Sequence, residues 1–198
     1  MDLLAKQLRK NDELVTGELT RHWLRKGERL GFGTPPLREY VRSNIGGQVR
    51  LPHQPVHPVP AFDLEKLGKP RWPLPSPEIL EEDWTDDPTV GHFAYAHHPD
   101  QLAVHFADHF ANSHGEARLV VSDRRVAVVY PSKFLGTTGE LFTTFCETDP
   151  RQVRLSAPFA GRSAPPPRVV RVDFADGSAL LLRAPFAGEL VARATVTG

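Results

Sequence analysis

Cysteine is nearly missing from this 198-residue chain. Cys146 stands alone, which excludes an intramolecular disulfide and any all-cysteine metal site. It sits in the strand-like run Leu141–Cys146 and is expected to be a small core residue rather than a nucleophile. Long apolar runs are also absent: none approaches the roughly 18 residues needed to cross a bilayer. The opening Met1-Asp2-Leu3-Leu4-Ala5-Lys6 becomes charged too early for a secretory signal, so a cytoplasmic location is expected. Net charge is lacking too. The 24 Lys and Arg balance 24 Asp and Glu, leaving no global field that would draw the chain to nucleic acid or an anionic membrane. Several catalytic signatures are missing as well. There is no Gly-x-Ser-x-Gly elbow, and Gly136-Thr137-Thr138-Gly139 lacks the lysine and following Ser/Thr of a phosphate-cradling loop. No cofactor is expected.

Proline, by contrast, is abundant and clustered. Eight of the 19 prolines fall between Leu51 and Pro77, a density that favours extended, polyproline-like chain over helix or sheet. This segment reads either as a spacer or as a strap along the rest of the chain, with Val56, Val59, Phe62, Leu64, Leu67 and Trp72 as anchors. It divides the sequence into a helical arm (1–50), a proline-rich and then acidic linker (51–90) and a β-rich domain (91–198). In the arm, Leu4, Leu8, Val15, Leu19 and Trp23 recur near helical spacing through residues 3–30, with Gly17 leaving two shorter helices as an alternative. A second helix is expected from Thr34 as cap to Gly46-Gly47, presenting Leu37, Tyr40, Val41 and Ile45. The arm carries ten Lys/Arg against six Asp/Glu, whereas residues 78–87 hold six acids and no base.

After Gly91, residues 99–112 read as an amphipathic helix with Leu102, Phe106 and Phe110 on one face. The period then switches to two. Arg118–Val121 and Val126–Tyr130 flank the turn Ser122-Asp123-Arg124-Arg125, and 141–146 and 152–156 supply two more strands. Val169–Phe174 and Ala179–Arg183 flank Asp176-Gly177, whose positive-φ preference suits a tight hairpin. The two ribbons are expected to join one curved sheet with a filled interior, and residues 189–197 to add a closing strand or short helix.

Two stretches of this pattern resemble bacterial pleckstrin-homology-like and GRAM-like domains: Leu119-Val120-Val121-Ser122-Asp123-Arg124-Arg125-Val126, and Val170–Phe174 running into Ala175-Asp176-Gly177-Ser178. Together they span about residues 117–184. The resemblance implies an α+β fold: an antiparallel PH-like bent sheet or partly open barrel with a packed helix, preceded here by the helical arm and the proline-rich linker. It also implies a non-catalytic adaptor that recognises a protein, a second copy of itself or, with less support, a phospholipid. The chain departs from that family where a plugging C-terminal helix belongs, since only 15 residues follow Arg183.

Several side chains are candidates for recognition. Arg124 and Arg125 could fork onto phosphate oxygens, although turn-stabilising ion pairs are the favoured reading. Trp23 belongs to an arm stripe that must find an apolar partner. Phe159 and Phe186 sit in an internal echo, Ala157-Pro158-Phe159-Ala160-Gly161 and Ala184-Pro185-Phe186-Ala187-Gly188, read as matching corners with each Phe anchored in the core, or alternatively as a joint apolar docking patch. Six of nine histidines lie between His92 and His114. Of these, His105 and His109 stand four apart, as a zinc pair on a helix would, though plain packing is favoured and no metal is assigned. Two competing classes follow: an enzyme using a histidine-bound metal, and nucleic-acid binding by the basic arm.

Overall fold

The computed structural model describes residues 3–63, 81–136, 139–161 and 165–197. Leu3–His22 form one helix, α1. Gly17 does not divide it, because Val15 and Leu19 on either side both bury in one apolar cluster. That burial offsets the roughly 1 kcal/mol a helical glycine costs.

Ten strands follow among the described residues, divided between two sheets. β1 (Leu30–Gly33), β5 (Arg118–Ser122), β6 (Val126–Pro131) and β7 (Phe142–Thr148) make a four-stranded antiparallel sheet in the order β1-β5-β6-β7. β2 (Tyr40–Ile45), β3 (Gln48–Arg50), β4 (Val90–Ala96), β8 (Val153–Ser156), β9 (Val169–Phe174) and β10 (Ala179–Arg183) make a six-stranded sheet ordered β3-β2-β4-β10-β9-β8. Helices α2 (Leu102–Asn112) and α3 (Ala187–Thr197) complete an α+β fold. No helix among the described residues is long and apolar enough to cross a membrane.

The main core combines both sheets with both later helices. Leu119, Val121, Val128 and Tyr130 come from one sheet, Val172, Leu180 and Leu182 from the other, Phe106 and Phe110 from α2, and Leu190 from α3. The opposite face of the four-stranded sheet lies under α1, where Val15, Leu19 and Trp23 meet Val120, Ala127, Val129 and Phe142. Contact there is so close that a Cβ on Gly33 would overlap Leu19 Cδ1. Being covered on both sides, β5 and β6 are buried at every position, and strands so placed read as continuous apolar runs.

Four expectations change. Residues 34–46 are not a helix. Thr34 continues the β1 ladder, donating its N–H to Leu119 O (2.8 Å) and accepting from Leu119 N at Oγ1 (3.0 Å). Tyr40–Ile45 are strand β2, which turns through Gly46-Gly47, both at positive φ, into β3. The helical spacing of Leu37, Tyr40, Val41 and Ile45 misled because β2 is buried on both faces, so that Arg42, Ser43 and Asn44 are as enclosed as their apolar neighbours. Nor is the sheet wholly antiparallel, since β2 runs parallel to β4. The two hairpin ribbons do not share one sheet: β5–β6 and β9–β10 face a common core from separate sheets, Val120 points away from it, and no ladder among the described residues closes a barrel. Finally, the echoed pentapeptides are not matching corners. The first follows β8 with Phe159 60% exposed, while the second leads into α3 with Phe186 half-buried.

The β9–β10 hairpin also fixes α2. Asp176 Oδ2 accepts from Leu102 N (2.6 Å), Ser178 Oγ accepts from Ala103 N (3.1 Å), and Gln101 Nε2 donates to Asp176 O. A carboxylate and a hydroxyl from another element thus satisfy two of the free donors of the first helical turn.

Candidate functional site

Residues 51–63 lie as a strap across α2, held mainly by Asp108. This carboxylate is 1% exposed. It accepts from His53 Nε2 (2.7 Å), His57 Nδ1 (2.6 Å), Val56 N (3.1 Å) and His57 N (3.0 Å). Burial disfavours its charge, but the hydrogen bonds from His53, His57 and the two backbone amides outweigh it and hold the carboxyl below its ordinary value. Farther along, Phe62 rings against Tyr130 and Phe134. Leu64, Leu67 and Trp72, the other expected anchors, fall outside the described residues.

His53 also bonds Ser43 Oγ through Nδ1, at 2.8 Å. The result is an Asp–His–Ser chain of the kind hydrolases use to activate a nucleophile. Ser43, however, lies in β2 at 0% exposure, where no substrate reaches its hydroxyl. The chain therefore works as an anchor. Sequence inspection could not have found it, since Ser43, His53 and Asp108 meet only once the strap docks. Burial, with Glu147 and Asp108 adding to it, pushes the Cys146 thiol up to about 12, which disfavours the thiolate at neutral pH.

The candidates at the β5–β6 turn are largely engaged inside the fold. Arg125 is 6% exposed. Its guanidinium pairs with Glu28 (2.9 and 3.2 Å) and Glu147 (3.1 Å), donates to Trp23 O (3.1 Å) and lies 3.9 Å from the centre of the Trp23 ring. Trp23 in turn donates through Nε1 to Thr144 Oγ1, at 2.9 Å. Arg124 is exposed and donates to Gly27 O, at 3.0 Å. Ion pairs join the first 50 residues to the later chain in both directions: Arg9 with Glu189, Arg25 with Glu147, Arg29 with Asp123 and Arg38 with Glu116, and in return Asp12 with Arg193, Glu18 with Arg118, Glu28 with Arg125 and Glu39 with Arg183.

His105 and His109 do not form a pair. His109 is buried, shares a hydrogen bond with the Tyr130 hydroxyl (3.1 Å) and is pushed down to about 4 by burial. His105 instead stacks on His57, ring centres 3.8 Å apart.

A cavity of about 610 Å³ forms a groove between the first turns of α1 and the Arg183–Phe186 stretch that leads into α3. Leu4, Leu8, Leu37, Val169 and Phe186 give it apolar walls. Arg9 bridges it, bonding both oxygens of Glu189 (2.9 and 3.0 Å) and lying 4.5 Å from the Phe186 ring centre. Both echoed segments reach it, through Ala160 and through Ala184–Phe186, whereas Phe159 is not part of its lining. On its floor Arg183 donates to the carbonyls of Val90 (2.6 Å), Thr85 (2.6 Å) and Asp87, leaving Glu39 Oε2 3.5 Å away, buried and without a hydrogen bond.

Burial raises the Glu39 carboxyl above its ordinary value; Arg183 opposes this, and Asp87 adds to it. A raised carboxyl stabilises the fold below its unfolded pKa and loses that contribution as pH rises through the folded one. Glu39→Gln is therefore expected to be neutral or stabilising by up to about 1 kcal/mol at pH 7, with the difference vanishing near pH 4 in parallel thermal melts. Marked destabilisation at pH 7 would contradict this.

No family model, no curated protein and no solved structure matches this chain.

Proposed function

We propose that the protein is a non-catalytic adaptor whose folded body presents the groove between α1 and α3 to a segment of another protein. The observation that carries this reading is the groove itself. Its aliphatic and aromatic walls, Leu4, Leu8, Leu37, Val169 and Phe186, are bordered by charged Arg9, Glu39, Arg183 and Glu189, and Leu4 is 63% exposed in the first turn of α1. Large apolar side chains gathered at the rim of an apolar cleft are what a helix or extended segment with aliphatic anchors fits. A pleckstrin-homology-like descent is supported by the order of elements: the β5–β6–β7 meander, the β8–β9–β10 meander, then a terminal helix. Phosphate recognition has less support, because Arg125 is already matched by Glu28 and Glu147.

Selection from a displayed peptide library tests the reading. Enriched peptides should carry aliphatic or aromatic anchors and bind Leu4→Asp at least about tenfold more weakly than the unaltered protein, equivalent to about 1.4 kcal/mol. Because Leu4 is exposed, the substitution should leave the melting temperature unchanged. Failure to enrich any peptide, or equal binding by Leu4→Asp, would sink the groove as the docking site.

A further inference from the structure

The groove between α1 and α3 is apolar along its walls but polar along its floor. Arg183 sits there with Nε donating to the Val90 carbonyl (2.6 Å) and Nη2 donating to the carbonyls of Thr85 (2.6 Å) and Asp87. It faces Glu39 Oε2 at 3.5 Å as a counter-charge, yet that oxygen receives no hydrogen bond. The Thr85 hydroxyl has no hydrogen-bond partner either. Glu39, Thr85 and Arg183 all line the groove. An unpaired buried polar atom costs about 1–3 kcal/mol, so an occupant that pairs these two atoms gains more than apolar contact alone supplies.

The chemistry of that occupant follows from charge and from hydrogen-bonding capacity. Among the described lining residues, Arg9, Arg168 and Arg183 balance Glu39, Asp86 and Glu189. Arg9 and Glu189 are already bonded to each other. A lysine or arginine brought to the floor would meet Arg183 as well as Glu39, and a carboxylate would meet Glu39. An uncharged amide or hydroxyl meets neither difficulty. It both donates and accepts, so it can pair with Glu39 in either protonation state and with the Thr85 hydroxyl beside it. Both unpaired atoms are covered in the unoccupied groove. However, the Glu39 side chain is 26% exposed, and the last torsion of a glutamate is broad, so a modest rotation presents its oxygen to an occupant.

We infer that the segment docking in this groove carries an uncharged hydrogen-bonding side chain, an amide or a hydroxyl, between its apolar anchors, and sets it over Glu39 and Thr85. This rests on the adaptor reading and specifies the chemistry of the partner.

The test begins with a displayed random-peptide library selected on the full chain. Enriched peptides are expected to share Asn, Gln, Ser, Thr or Tyr between aliphatic or aromatic positions. The most enriched one, made synthetically, is then titrated into the unaltered protein, Glu39→Met and Thr85→Val, with thermal melts of each. Thr85→Val removes a hydroxyl that bonds nothing and should melt unchanged. Glu39→Met should weaken binding about tenfold and Thr85→Val about threefold or more. Replacing the shared polar residue of the peptide by leucine (phenylalanine for tyrosine) should weaken binding to the unaltered protein, and should cost much less on Glu39→Met, because the two changes remove the same interaction. Peptides with apolar anchors alone, weakened by Leu4→Asp but bound equally by Glu39→Met and Thr85→Val, would overturn this inference and leave the groove as the docking site. A shared lysine or arginine would overturn it too. Peptides indifferent to Leu4→Asp, or no enrichment, would remove the adaptor reading and this inference together.

Discussion

Asp108→Ala is expected to destabilise the fold by about 3–5 kcal/mol and to lower the melting temperature by about 10 °C, measured by circular dichroism in heat and urea. Four donors lose their acceptor together: two imidazole nitrogens and the backbone amides of Val56 and His57. Each buried donor left unpaired bears its own desolvation cost. Asp108→Asn keeps the volume and one acceptor but turns an N–H toward groups that are themselves donors, so it should fall between the two. The sign of the pH dependence follows from the depressed carboxyl. Its contribution is complete above the unfolded value of about 3.9 and is lost as pH falls through the lower folded one. The gap between Asp108→Ala and the unaltered protein should therefore narrow in acid. A gap that stays constant from pH 7 to pH 2 would mean that an ionised Asp108 is not what holds the strap.

Arg125→Ala should cost a similar amount, about 3–5 kcal/mol, for a different reason. Its guanidinium holds the residues after α1, through Glu28 and the Trp23 carbonyl, against the β5–β6 turn and Glu147 on β7. Burial disfavours the Glu28 charge, but hydrogen bonds from Arg125 and Ser122 outweigh it and keep the carboxyl below its ordinary value. Without the arginine that charge is stranded. Arg125→Lys should recover little, because an ammonium cannot fork onto Glu28 while lying flat on the Trp23 indole. The interaction is isolated by a double-mutant cycle. Arg125→Ala combined with Glu28→Gln should destabilise less than the sum of the single changes, by at least about 1 kcal/mol. Strict additivity would mean that the two groups do not act as a pair.

Both hubs rest on residues that sequence reading valued for other reasons or passed over. Arg125 drew notice as a possible phosphate contact, yet its partners Glu28 and Glu147 lie 97 and 22 positions away. Asp108 read only as part of the polar side of a helix whose residues His105 and His109 suggested a zinc pair. The structure turns one histidine inward to Tyr130 and the other against His57. Histidine enrichment was visible in the sequence. Which nitrogen faces which carboxylate was not, because the strap brings His57 to Asp108 from about 50 residues away.

The β9–β10 hairpin shows where local chemistry suffices. Alternating Val170, Val172 and Phe174, followed by Asp176-Gly177 with Gly177 at φ +85°, prescribe a tight turn and a register, and Val169 does pair with Arg183. Helix α2 and the C-terminal half of α1 were legible in the same way, from apolar spacing over consecutive turns. β2 was not. A strand enclosed on both faces has no alternation to display, and its parallel partner β4 is about 50 positions away.

By itself, the order of residues determined the short-range pieces: helices with one apolar face, hairpins with a tight turn, and a proline-dense stretch unable to enter a sheet. Each is fixed by interactions among neighbours in the chain. Tertiary structure alone decided that the two ribbons enter different sheets, that the first 50 residues exchange ion pairs of both senses with the later chain, and that two strap histidines share one buried carboxylate. Those outcomes depend on distant surfaces meeting, and the free energy of desolvating and matching their polar groups exists only after they meet.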